Sequence, residues 1–265
     1  MMDVQARWSK GGILILKSII SSIKQALSGR AFLLSIVGVT VLLFLSSVQN
    51  MANAFSSEKL LMGGFHHSFV MDALASDSMM LALPILSALP FTSSMVDDVK
   101  CGFIKEYLPR TTVNGYIIGK VVACILSGGL VFVVGILAAY GISALIFTPM
   151  EAAGSEMTGN LEKLMRQTCL FFVSGGFWAM VGMLFATLTE SKYMAYASPF
   201  VFCYVLIILY ERYFDKLYVL YPKEWIIPSE RWIFGNASVI LFVSELIIIT
   251  ALCFGIAARR RLSKI

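Results

Sequence analysis

The chain has 265 residues, of which 58% are hydrophobic and only 14% charged, and its net charge is +5. Soluble domains carry about 25% charged residues. This composition excludes a soluble globular enzyme, a disordered chain and a disulfide scaffold, and predicts an all-α polytopic membrane protein of one domain, 1–265. The mild basic balance follows membrane topology and gives no reason to expect nucleic acid as a partner.

In chain order, residues 7–28 read as an amphipathic helix. Ile13, Leu16, Ile20, Ile23 and Leu27 recur at three- and four-residue steps, while Lys10, Lys17 and Lys24 share another face. Such a helix is expected to lie in the inner interface, apolar side toward membrane lipid and lysines toward anionic headgroups. A basic region, an apolar run and Ala52-Asn53-Ala54 imitate a signal peptide. A basic part of 30 residues is too long for one.

A helix needs about 20 apolar residues to cross the roughly 30 Å hydrocarbon core. Charge-poor stretches place six spans at about 31–50, 78–96, 117–147, 167–189, 193–210 and 236–257. With the N-terminus inside, the inner segments hold 14 Lys and Arg and the outer segments 7. That bias predicts both termini in the cytoplasm.

Between spans two and three lies the most polar inner stretch. Asp97 and Asp98 suit a helix start, and a short helix from Asp98 to about Leu108 would stop before Pro109. This loop, 97–112, is the only sizeable inner surface on which another protein could dock. On the outside, residues 210–234 hold eight aromatics interleaved with charges, Pro222 and Pro228. Segment 211–235 therefore reads as short helices at or dipping into the outer interface. It is either a plain aromatic belt or a lid over an exit path. The outer loop 51–77 carries Gly63, Gly64, His66 and His67 among apolar neighbours.

Catalytic motifs are missing: neither H-E-x-x-H nor G-x-S-x-G occurs. His66 and His67 are adjacent, so their side chains diverge on a helix and no metal site is expected. The five cysteines form no C-x-x-C pair, so neither disulfides nor a cysteine metal site is expected. Residues Asn114–Val121 approach a phosphate-binding loop, but Asn114 stands where glycine is needed and Val121 where Ser or Thr is needed. ATP is thus not expected on this chain, nor catalysis. Asn236-Ala237-Ser238 matches a glycosylation sequon, to which no role is assigned. Glu245 is the one charge well inside a span, where a carboxylate costs about 2.5–3.5 kcal/mol. It is expected to face the bundle interior, either in an interhelical hydrogen bond or in an ion path.

The segment 97–120 resembles the first cytoplasmic loop of export-type permeases of ATP-binding-cassette (ABC) transporters, the type-2 export superfamily. The resemblance rests on Asp97 or Asp98, Gly102, Glu106-Tyr107, Pro109-Arg110, Tyr116 and Gly119-Lys120, and the topology is similar over the whole chain. It implies a coupling helix between spans two and three. A cytoplasmic ATP-binding subunit would dock at Asp97, Asp98, Gly102, Lys105, Glu106 and Arg110, carrying ATP and Mg itself. It further implies a second permease chain, in a homodimer or heterodimer, in a bacterial cell membrane. The cargo would be an amphipathic or hydrophobic substrate such as a peptide, lipid or drug. Read from the residues alone, a stand-alone ion-coupled carrier using Glu245 stays open beside it.

Overall fold

The computed structural model describes residues 2–264 apart from 57–59, 108–110, 152–156, 229–231 and 233–234, with side chains described from residue 15 onward except at 157–160. Among these residues the fold is all-helical, and the only β pairing is a single bridge between Leu61 and Glu151.

The first helix, α1 (Met2–Leu27), meets α2 (Arg30–Ser46) at a bend of 53°. The turn falls at Ser28-Gly29. On α1, Leu16 and Ile20 are more than half exposed, Lys17 and Lys24 are exposed on the charged face, and Ser18, Ser22 and Ala26 are buried. The fully buried stripe is therefore the small one, with Ile23 and Leu27 of the aliphatic stripe packed beside it. It lies against Gly119 of α8 (Val113–Phe147), where a Cβ would sit 3.1 Å from Ser22 Oγ, while Gly115 meets Ile15. Small residues let helix backbones approach closely where lipid offers no hydrophobic drive.

Beyond α3 (Val48–Ser56), the second span, predicted at 78–96, is met by α5 (Asp77–Ala88), which ends eight residues short; α4 (Phe65–Leu74), inside the predicted loop 51–77, precedes it at a bend of 69°. The Ser76 hydroxyl accepts a hydrogen bond from the Met79 N–H at 3.2 Å and so starts α5. Pro84 inside α5 removes a helical donor, and the helix ends four residues later. Then come α6 (Ser94–Lys100) and α7 (Phe103–Tyr107). The continuous helix expected from Asp98 to Leu108 is thus two short ones. Gly102 breaks it at a φ of +73°, a conformation that glycine adopts without strain.

After α8 come α9 (Met157–Thr189), α10 (Lys192–Arg212), α11 (Pro222–Ile226) and α12 (Asn236–Leu262). Among the described residues, four helices are long and apolar enough to cross a membrane: 113–150, 161–189, 192–212 and 236–262. The number rises to six if each bent pair forms one span. The fold is that of a membrane protein.

The most apolar stretch of α9 is 72% buried and that of α12 only 17%, so α9 is the central mast and α12 stands at the edge. Where α8 crosses α9, Ser127-Gly128-Gly129 faces Ser174-Gly175-Gly176. A Cβ on Gly175 would lie 2.7 Å from the Gly128 carbonyl oxygen, and one on Gly128 would lie 2.9 Å from that of Gly175. Only glycine fits at so close a crossing. Trp178, Phe132 and Phe147 fill the core toward the far end, and Met95, Met183 and Phe254 fill it toward the end carrying the termini.

Candidate functional site

At the termini end, the polar loop is mounted on the bundle by a buried network. Lys120 Nζ lies 2.8 Å from Asp98 Oδ2. The Tyr116 hydroxyl donates to the same carboxylate at 2.8 Å. The ammonium also sits 4.7 Å from the centre of the Phe91 ring, a cation–π arrangement. Tyr107 of α7 donates to Ser18 of α1 at 3.2 Å and stacks on Phe103. On the other side Asp97 pairs with Lys192 at the start of α10 and accepts from the Ser93 hydroxyl at 3.0 Å. Arg261 of α12 donates to the Thr187 carbonyl at 3.1 Å and lies 3.4 Å from Glu190. Three helices, α1, α8 and α10, are thereby tied to one short loop, and Arg261 ties α12 to the end of α9 beside it.

The residues expected to meet a partner are not equivalent. Asp98 is turned inward and buried, its carboxylate held by Lys120. Asp97 is occupied by Lys192. Gly102 forms the turn. Lys105 and Glu106 stand exposed on α7 beside exposed Lys100. Arg110 lies outside the described residues. The pairing of Lys120 and Tyr116 with Asp98 was not legible in the sequence, because an apolar span shows no sign of which neighbour its lysine meets.

Glu245 reverses its expectation. It lies on the exposed face of α12 with Leu241, Ile248 and Leu252, and has no hydrogen-bond or ion-pair partner among the described residues. The interior places of α12 go instead to Val239, Val243, Phe254 and Ala258.

The far end has a site that sequence reasoning missed. Glu151, just beyond α8, accepts from the backbone N–H of Gly64 at 3.0 Å and of His66 at 2.8 Å, and its Oε1 lies 2.8 Å from His66 Nδ1. The other ring nitrogen of His66 lies 3.2 Å from the Tyr140 hydroxyl. Burial pushes the Glu151 carboxyl up, but the His66 and Gly64 backbone donors and the His66 ring outweigh it and hold the group below its ordinary value. This clasp closes the turn before α4 onto the end of α8. Gly63-Gly64 was the available signal, since the left-handed turn at Gly64 aims its N–H at the carboxylate. His67 is buried behind the clasp, its Nδ1 without a hydrogen-bond partner.

Above α9 and α10, the aromatic segment forms a cap. It contains a 3-10 turn at Tyr218–Leu220 and α11, so short helices occur where they were expected. Trp225 is buried rather than belted in the interface. It stacks on Trp178 at 5.8 Å, and its indole N–H donates to the Val219 carbonyl at 2.8 Å. The Gln167 amide donates to the Ile226 carbonyl at 2.6 Å. Lys223 pairs with Asp77 at 2.6 Å, and that hydrogen bond raises the ammonium above its ordinary value.

The described residues contain no cluster of three or more His, Cys, Asp or Glu side chains placed to hold a metal ion. No protein-family model matches the chain, and neither does any curated protein.

Proposed function

We propose that the chain is the membrane-spanning permease subunit of a type-2 ABC exporter. It would form half of a pathway, completed by a second permease chain and driven by a separate cytoplasmic subunit that binds ATP and Mg. The observation that supports this reading is the mounting of α6 and α7. Exposed Lys105 and Glu106 are presented on a helix of five residues, seven and eight residues beyond Asp98 of an ion pair buried in the bundle. A merely solvated loop needs no such anchorage. A push on α7 would pass through Asp98 and Lys120 to α8, and rigid helices would convert it into a change of opening.

The far-end cap and clasp suit an exit gate for an amphipathic or hydrophobic cargo. Exposed Leu16 and Ile20 opposite the lysines of α1 suit a helix lying on the inner interface, with both termini in the cytoplasm. An ion-coupled carrier has less support, because Glu245 has no second ionisable group beside it among the described residues.

The test is co-purification from native membranes with the doubly reversed variant Lys105→Glu, Glu106→Lys. Loss of an ATP-hydrolysing subunit at an unchanged unfolding midpoint is expected. A reversed variant that keeps that subunit and its transport removes the proposal.

A further inference from the structure

We infer that the groove between α8 and α12 holds an acyl chain of an anionic phospholipid, with the lipid phosphate on Arg259. The inference requires a bilayer around the chain and nothing of the permease reading.

The groove encloses about 520 Å³. Ile118 and Val121 line one wall, Leu252 and Gly255 the other, and Asn114 and Arg259 close the termini end. From Asn114 to Ile125, its deepest lining residue on α8, that helix rises about 17 Å at 1.5 Å per residue. Half of a roughly 30 Å hydrocarbon core is about 15 Å. The groove is therefore one leaflet deep, with its cationic mouth where that leaflet's headgroups lie.

Its occupant follows from three features. First, the groove opens sideways to the surface on which α12 exposes Ile248 and Leu252, the side that meets lipid. Second, no polar side chain lines it between the mouth and its deep end, so only a hydrocarbon is suited to its length. A Cβ on Gly255 would meet nothing closer than Ile117 Cγ2 at 3.9 Å, so the missing side chain leaves the slot open. Third, the exposed Arg259 guanidinium donates to Asn114 Oδ1 at 3.0 Å. That bond aims the fork at the mouth and leaves other N–H groups for a phosphate, whose geometry a guanidinium matches in a bidentate manner. Charge complementarity thus selects an anionic headgroup over a zwitterionic one.

The test uses the purified, delipidated full chain, equilibrated with phosphatidylglycerol or phosphatidylcholine in detergent and examined by native mass spectrometry. One tightly retained phosphatidylglycerol per chain is expected, with little phosphatidylcholine. Arg259→Gln should lower retention by about fivefold, the scale of one cation near an anionic headgroup. Gly255→Leu, which has room to fold, should lower it at least as much, and Arg260→Gln should leave it unchanged. Equal retention by wild type and both groove variants overturns the proposal, as does equal retention of the two lipids. So does a disulfide between copies carrying Ile118→Cys and Leu252→Cys in the bilayer, which would give the groove to a second copy.

Discussion

Lys120 and Asp98 meet at 2.8 Å with both side chains less than a tenth exposed. One belongs to α8 and the other to α6, so the pair fastens the polar loop to the longest helix. Removing one partner of a buried pair leaves an uncompensated charge and costs about 3–5 kcal/mol, while replacing both is often close to neutral. Lys120→Met is therefore expected to lower the thermal unfolding midpoint sharply, and Asp98→Asn added to it to restore most of the loss. Unfolding of the purified protein in detergent measures both; a double variant as unstable as the single one would show that the pair does not act as a unit.

The α8–α9 crossing sets a second expectation. Gly175→Val puts atoms within 2.7 Å of a backbone oxygen, and overpacking of this kind costs about 1–3 kcal/mol or more. Gly141→Ala, on the same α8 but with nothing within 4 Å of the new Cβ, should stabilise the helix by up to about 1 kcal/mol. The two unfolding midpoints should move in opposite directions.

The far-end clasp predicts an acid response. Glu151 has a folded pKa below its ordinary value, so its contribution is complete above the unfolded carboxylate pKa near ~4.3. It is lost as pH falls through the lower folded value. Glu151→Gln should therefore lower the unfolding midpoint at neutral pH, and the gap from wild type should shrink as acid is added below about pH 4. Midpoints of both proteins across that range provide the check, and a constant gap would separate the stability from ionisation of this carboxyl.

Glu245 stands among Leu241, Ile248 and Leu252 without a partner among the described residues. A central carboxylate costs about 2.5–3.5 kcal/mol on insertion, so Glu245→Leu should raise the unfolding midpoint of the monomeric protein. A fall instead would mean that something covers this face of α12.

The long helices could be read from the sequence because charge is excluded from hydrocarbon, and α8, α10 and α12 run where the charge-free stretches do. Their ends could not. Glu162 and Arg166 pair at 2.9 Å one turn apart on an exposed face, so α9 continues outward through charges that mark a loop on hydropathy alone. The helix α4 was hidden because its His66, His67 and Asp72 interrupt the apolar run that marks a span, so the segment reads as a loop. The clasp was hidden for another reason. Glu151 and His66 are 85 residues apart, and no local pattern brings them together. The exposure of Lys105 and Glu106 could be read, as a polar loop between apolar spans; the inward turn of Asp98 depends on which lysine meets it.

The central place of α9 has a consequence for the order of assembly. Helices leave the ribosome in sequence, and α9 is drawn from the second half of the chain. The earlier spans then wait, with the Gly128-Gly129 seam of α8 uncovered, until residues 157–189 arrive. A nascent chain stalled before that point would lack its keystone. Surveillance proteases would be expected to meet such an intermediate as a loose set of spans, while a chain released after α10 already has its scaffold and needs only α12 laid along its flank.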